Sequence, residues 1–318
     1  MGTQPPLVVH RARKNGMAFL AIALCLYASL GTLAQRGSPL FGLMWSEAFA
    51  LLLPACIAAA GSNLKVSRAL LLSPAPPRSA LALAPLIGGA AFVAAGALMA
   101  LTSLLLPEHW LEVWDISRFF ERPLLERVAL SLAASTLAPF CEEVAFHGWL
   151  LTALRTRHRT GLAIGLSGLY FAAMHLDPVR FLALLALGVL YGWMTWRAGS
   201  VWPAIFAHTT NNGLGVCLAA LGATQSNLGL SRPQLLELAG AASFTLALAA
   251  CGLAILTKAY SRVTPSPPHL SDALALRDPT EPSTAFRFAR IPRGQLAAIA
   301  AAALSLTVLT LLAVRSHQ

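Results

Sequence analysis

Residues 139–150 read PFCEEVAFHGWL. Glu142 and Glu143 stand side by side in a run that is otherwise apolar from about 127 to 154. A carboxylate near the centre of a bilayer costs about 2.5–3.5 kcal/mol on insertion scales, so such residues mark function or a partnered interior. This stretch decides the fold: it is either a membrane helix with a purpose for two acids, or no membrane helix at all.

The rest of the chain settles that choice. Of 318 residues, 57% are hydrophobic and 11% charged, against about 25% charged in a soluble domain. The mean hydropathy is positive, at +0.66. Runs near the ~20 apolar residues needed to cross a bilayer occur at about 17–34, 41–60, 80–106, 127–154, 160–176, 179–196, 200–221, 235–257 and 295–314. They are rich in Ala and Leu and lack the alternation of membrane strands. The expected fold is therefore all-α, a polytopic transmembrane bundle of about nine spans, with an eight-helix core and an additional C-terminal helix. On this map residues 1–257 form one helical domain and 258–294 a Pro-rich cytoplasmic loop. The last helix lies within 295–318. Arg11, Arg13 and Lys14 before the first run resemble a signal peptide. The run exceeds the usual h-region of about 7–15 residues, which favours a retained helix. Pro6 occupies the position where myristoylation wants Ser or Thr.

The net charge of +10 is no nucleic-acid footprint in such a chain. With the N-terminus inside, 16 of the 23 Lys and Arg fall on the cytoplasmic side, as the positive-inside rule requires. The reading is a multi-pass protein of the inner (plasma) membrane with a cytoplasmic N-terminus. Its partners are membrane lipid and a peptide or protein substrate, and its oligomeric state is open. The five cysteines, Cys25, Cys56, Cys141, Cys217 and Cys251, lie in apolar runs without zinc-site spacing and read as small buried hydrophobes. Cys141 is kept as a thiol candidate because it borders the Glu pair. Glu47, nearer an end of its run, reads as facing the interface or a neighbouring helix.

Three further polar residues interrupt apolar helices: His175, His208 and Asn212. At 1.5 Å per residue, Glu142, His175, His208 and Asn212 lie about 18, 22, 13 and 20 Å from the cytoplasmic side. Three helices of alternating direction thus carry polar groups in one layer. Glu143 and His147 are i,i+4 and share a face, as do His208 and Asn212. Glu142 points about 100° away from Glu143, so the two acids need not share a role. A carboxylate and an imidazole can act together as general base on water, and a second imidazole with an amide can stabilise an oxyanion. That set suits amide hydrolysis without a covalent intermediate. A zinc site of Glu, His and His is chemically possible, but no HExxH motif demands one. No cofactor is expected.

Here the chain resembles the CPBP intramembrane proteases, which include the type II CAAX prenyl proteases and bacterial bacteriocin-processing or immunity proteins. That family carries EExxxR, FxxxH and HxxxN on successive helices. The present counterparts are EEVAFH (142–147), FAAMH (171–175) and HTTNN (208–212), and LGVLYGWMTWRAGSVWPAIFAH (187–208) resembles the usual approach to the third motif. The resemblance covers about 127–215. It implies a glutamic endopeptidase in which Glu142 and His175 activate water, His208 and Asn212 stabilise the oxyanion, and Glu143 supports. The departure is His147, where the family has Arg; the simplest consequence is a Glu143–His147 pair. Ala-, Leu- and Arg-rich usage suggests a GC-rich bacterium, where a prenylated substrate would be unusual and a C-terminal sorting segment is a better expectation. A myxosortase-like subfamily fits that expectation. Two rivals stand beside it: a non-catalytic scaffold or immunity protein of the same fold, and a proton-coupled transporter.

Overall fold

The computed structural model describes residues 6–62, 65–73, 75–107, 110–111, 122–220 and 232–264. Among them there is no strand, and the chain is a bundle of antiparallel-connected helices. Helix α1 runs from Pro6 to Leu26 and continues through a π-helical turn, Tyr27–Gly31, to Gly37. Helix α2 spans Pro39–Ala60, α3 Arg78–Ser103, α4 Leu124–Arg155, α5 Thr160–Met174, α6 Phe181–Ala198, α7 Trp202–Ala220 and α8 Arg232–Val263.

Six of these helical stretches are long and apolar enough to cross a membrane: Ala18–Gly37, Pro39–Ala60, Arg78–Ser103, Leu124–Arg155, Phe181–Ala198 and Pro233–Val263. The two other expected spans within the described residues also form helices but miss that standard. Helix α5 has only 15 residues, and α7 carries the polar run HTTNN within its 19. Helix α8 stays helical to Val263, six residues into the segment read as a loop. The remainder of that loop and the segment 295–314 lie outside the described residues.

Local chemistry explains the breaks. Ser38 adopts an extended conformation and accepts a hydrogen bond from the Phe41 backbone N–H, with Pro39 opening α2 behind it; this is an N-cap with proline at the first helical position. Gly199 ends α6 in the left-handed region, φ 65°, where a Cβ would be strained. Pro77 and Pro123 directly precede α3 and α4.

Two apolar clusters form the interior. One joins α1, α2, α4 and α5 around Phe19, Phe146, Trp149, Leu151 and Phe171. Phe19 of the first helix packs edge-on against Phe146, so that helix is part of the core. The other joins α3, α6, α7 and α8 around Ile87, Tyr191, Met194 and Tyr260. Small residues let backbones approach, as is common between membrane helices. At the α5–α6 crossing, a Cβ on Gly168 would lie 2.7 Å from the Val189 backbone N. At the α3–α7 crossing, one on Gly88 would lie 2.2 Å from the Ala207 carbonyl oxygen. Large apolar side chains on the outer faces, such as Phe41 and Phe49 of α2 or Leu236 and Phe244 of α8, are exposed. In a membrane helix such faces meet lipid. Cys217 and Cys251 are also exposed, against the expectation that all five cysteines are buried; they sit on outward helix faces, whereas Cys141 is fully buried.

Candidate active site

Helix α4 is not a regular α-helix. It widens into π-helical turns at Ala133–Leu137 and Glu143–Leu150, and Pro139 lies between them. Such turns are frequent at functional sites because they rotate side chains off the 3.6-residue register. Proline adds a missing donor within the helix. Glu142 ends the regular turn and Glu143 begins the π-helical one.

The two carboxylates face different partners. Glu143 is fully buried. Its Oε2 accepts from His147 Nδ1 at 2.7 Å, and its Oε1 accepts from His208 Nδ1 at 2.8 Å. An ionised carboxylate only accepts, so both Nδ1 atoms carry the hydrogen and both rings are fixed in orientation. Glu142 makes no such direct bond to imidazole. Its Oε1 lies 3.9 Å from His175 Nε2, and its Oε2 3.8 Å from His208 Nε2. These separations are too long for hydrogen bonds and suit groups that share a water or a substrate atom.

His175 stands just past the end of α5, and its Nδ1 bonds the Phe171 carbonyl at 2.8 Å. Nδ1–H donation to that carbonyl leaves Nε2 as an acceptor facing Glu142. Among the acid and imidazoles, His175 is the most accessible: its side chain is 23% exposed, against 9% for Glu142 and 4% for His208. The cluster is therefore reached from the His175 side. An open, mostly apolar depression of about 370 Å³, lined by Ala172, Leu176, Asp177, Pro178 and Phe181, flanks that residue.

Of the residues singled out in the sequence, Glu142, Glu143, His147, His175 and His208 come together. Asn212 is placed otherwise. Its Nδ2 donates to the Ala134 carbonyl of α4 at 3.0 Å, and its Oδ1 accepts from Asn211 at 3.1 Å. Asn212 thus ties α7 to the π-helical turn of α4 below the Glu pair, and one of its two N–H bonds is already committed there. Among the described residues His147 Nε2 is buried without a hydrogen-bond partner, against Gly192 of α6.

Sequence reasoning gave no role to two aromatic side chains. Phe171 lies edge-on to His175 and His208, at 4.9 and 5.7 Å between centroids, and tilted to His147 at 5.7 Å. One buried ring thus sets the spacing of three imidazoles. Tyr191 stacks on His208 at 4.9 Å. The signal for Phe171 was its position four residues before His175, on the same helical face. Tyr191 offered none, since aromatic residues are ordinary in such helices. Glu47 is also fully buried; of the two readings offered, it faces a neighbouring helix and not the interface, its turn of α2 packing against Ala138–Glu142 of α4. Among the described residues, no group of three or more His, Cys, Asp or Glu is arranged to hold a metal ion.

No curated protein and no solved structure matches the chain. A family model does: residues 124–214 match the one described as type II CAAX prenyl endopeptidase Rce1-like. The matched stretch runs from the start of α4 into α7 and contains the Glu pair, His147, His175, His208 and Asn212. Through this segment, a little under a third of its length, the chain is similar to the Rce1-like type II CAAX prenyl endopeptidases.

Proposed function

We propose that the chain is an intramembrane endopeptidase that cleaves a peptide bond of a membrane-embedded or membrane-proximal substrate with an activated water. The observation that carries this reading is the position of Glu142: buried, and 3.8–3.9 Å from the Nε2 atoms of both His175 and His208. A water in that gap donates one hydrogen to the Glu142 carboxylate and the other to His175 Nε2. Its oxygen then attacks the substrate carbonyl carbon while Glu142 takes the proton. The carbonyl oxygen becomes an oxyanion. An imidazolium at 208, its charge balanced by Glu143, donates from Nε2–H to that oxygen. Collapse breaks the C–N bond, and the proton held by Glu142 passes to the leaving nitrogen. Asn212 supports the oxyanion with its second amide N–H once substrate is bound, while its first holds α7 against Ala134. Glu143 and His147 orient His208 and do not touch the reacting atoms. No cofactor takes part.

The family match supports CAAX-type proteolysis at the level of reaction class. For this chain we take the substrate to be a polypeptide with a C-terminal sorting segment, as in a myxosortase-like role, in the plasma membrane of a bacterium.

The test compares membrane proteomes of strains carrying the wild-type chain and Glu142→Ala. A peptide terminus present only with the wild type is expected. Removal of the general base costs about 10²–10⁴-fold in rate, enough to erase that terminus. If the variant yields the same termini as the wild type, the protein is a scaffold and not a protease.

A further inference from the structure

Glu47 is the buried acid that the proposed reaction does not use. It lies in a π-helical turn of α2, Ser46–Leu52, and is 0% exposed. Neither of its carboxyl oxygens has a hydrogen-bond partner among the described residues. The turn packs against Ala138–Glu142 of α4, and Glu47 lies within electrostatic reach of Glu142. Glu142 Oε2 is likewise buried without a hydrogen-bond partner among the described residues. The approach of α1 to this turn is close: a Cβ on Gly31 would lie 2.6 Å from Ser46 Oγ. Tyr27, at the start of the π-helical turn of α1, is within electrostatic reach of both acids. Three helices therefore converge on three carboxyl oxygens, both of Glu47 and Oε2 of Glu142, that no donor among the described residues satisfies.

Two carboxyl groups buried on packed turns within electrostatic reach of each other are costly to ionise together. The neighbours decide which one keeps its proton. Glu142 faces two imidazole nitrogens, from α5 and α7. Within electrostatic reach of Glu47 lie Tyr27 of α1 and Cys141 of α4, and neither carries positive charge. Arg180, also within reach of Tyr27, is bound to Asp177. A neutral carboxylic acid is a donor, and a carboxylate beside it is the natural acceptor.

We propose that Glu47 is a positioning residue for Glu142: it stays protonated and donates, through a bridging water, to the buried Glu142 Oε2, fixing the carboxylate that faces His175 and His208. The role assigned to Glu142 rests on the proposed function; the pairing itself does not. Glu47 acts through Glu142 and does not contact the reacting bond.

The test uses the full-length protein purified in detergent micelles and infrared spectroscopy at neutral pH. The wild type minus Glu47→Gln difference is expected to show one protonated carboxyl C=O band, sensitive to hydrogen–deuterium exchange. That band is expected to shift in Glu142→Gln, where the acceptor has lost its charge. A Glu47→Gln difference without such a band, or a band unmoved by Glu142→Gln, overturns the pairing. In the membrane-proteome comparison, Glu47→Gln, which keeps a neutral donor in the same place, is expected to retain most of the yield of the Glu142-dependent terminus. Glu47→Leu, which keeps the volume and removes the donor, is expected to lower it about tenfold, the worth of one hydrogen bond. Wild-type yield from Glu47→Leu, or an equal loss in both variants, overturns the positioning role. If the infrared results hold while Glu142→Ala changes no terminus, the carboxyl pair stands and the protease reading fails.

Discussion

At the scale of single residues, the departure at position 147 is the most instructive. The family motif places Arg there, and Arg could fork onto a carboxylate. In this chain the position is enclosed. His147 is fully buried, and even a Cβ added at Gly192 would approach its Cδ2 to 3.1 Å. The imidazole fills the space and spends its Nδ1–H on Glu143. Arginine needs more room than α6 leaves, so His147→Arg is expected to destabilise the protein by about 1–3 kcal/mol, the usual penalty of overpacking. The measurement is the apparent thermal midpoint of the purified protein in micelles. An unchanged midpoint would mean that α6 yields freely at Gly192, and the histidine would need another explanation.

Helical elements show why some of this was legible beforehand and some was not. Hydropathy fixed the helices well: the stretch expected at 127–154 is Leu124–Arg155, and that at 179–196 is Phe181–Ala198. Spacing also separated the faces of Glu142 and Glu143, which indeed meet different atoms of His208. For Glu47 the sequence left two readings, the interface or a neighbouring helix, and the structure takes the second; a hydropathy profile could not choose because it reports depth and not direction. On the same helix Phe49 is 52% exposed while Glu47 is fully buried, and a π-helical turn carries both. A 3.6-residue wheel does not describe such a turn. For the same reason nothing in the sequence announced that the Asn212 amide would bond the Ala134 carbonyl, which also lies in a π-helical turn. Helix crossings carry their own prediction. At Gly88 the obstacle to a side chain is the backbone of α7 at Ala207, one residue before His208. Gly88→Ala must therefore part α3 from α7, at an expected cost of about 1–3 kcal/mol and with loss of the Glu143–His208 alignment. Gly96→Ala, on the same helix with nothing within 4 Å of its Cβ, is the control. It is expected to be neutral or to gain up to about 1 kcal/mol from helix propensity. Equal midpoints and equal cleavage for the two variants would remove the crossing from the argument.

For the whole molecule, orientation links the charge pattern to access to the site. The loop after α2 carries Lys65, Arg68 and Arg78, and Arg155, Arg157 and Arg159 flank the short connection after α4. Both lie at one end of the bundle if the helices alternate in direction, and the positive-inside rule makes that end the expected cytoplasmic one. Glu142 and His175 then sit nearer the middle of the bilayer than either surface, so polar atoms at that depth must line protein or water and not lipid. The path to them is set by the same orientation, because His175 and the depression beside it lie at the end of α5 away from the Arg155–Arg159 connection. A reporter enzyme that works only outside the cytoplasm is expected to be inactive when fused after residue 62 and active when fused after residue 107. The opposite pattern would invert the bundle and place the open side of the site toward the cytoplasm. A substrate would then have to present its cleaved bond from the other leaflet, and the C-terminal sorting segment would have to be sought on that side.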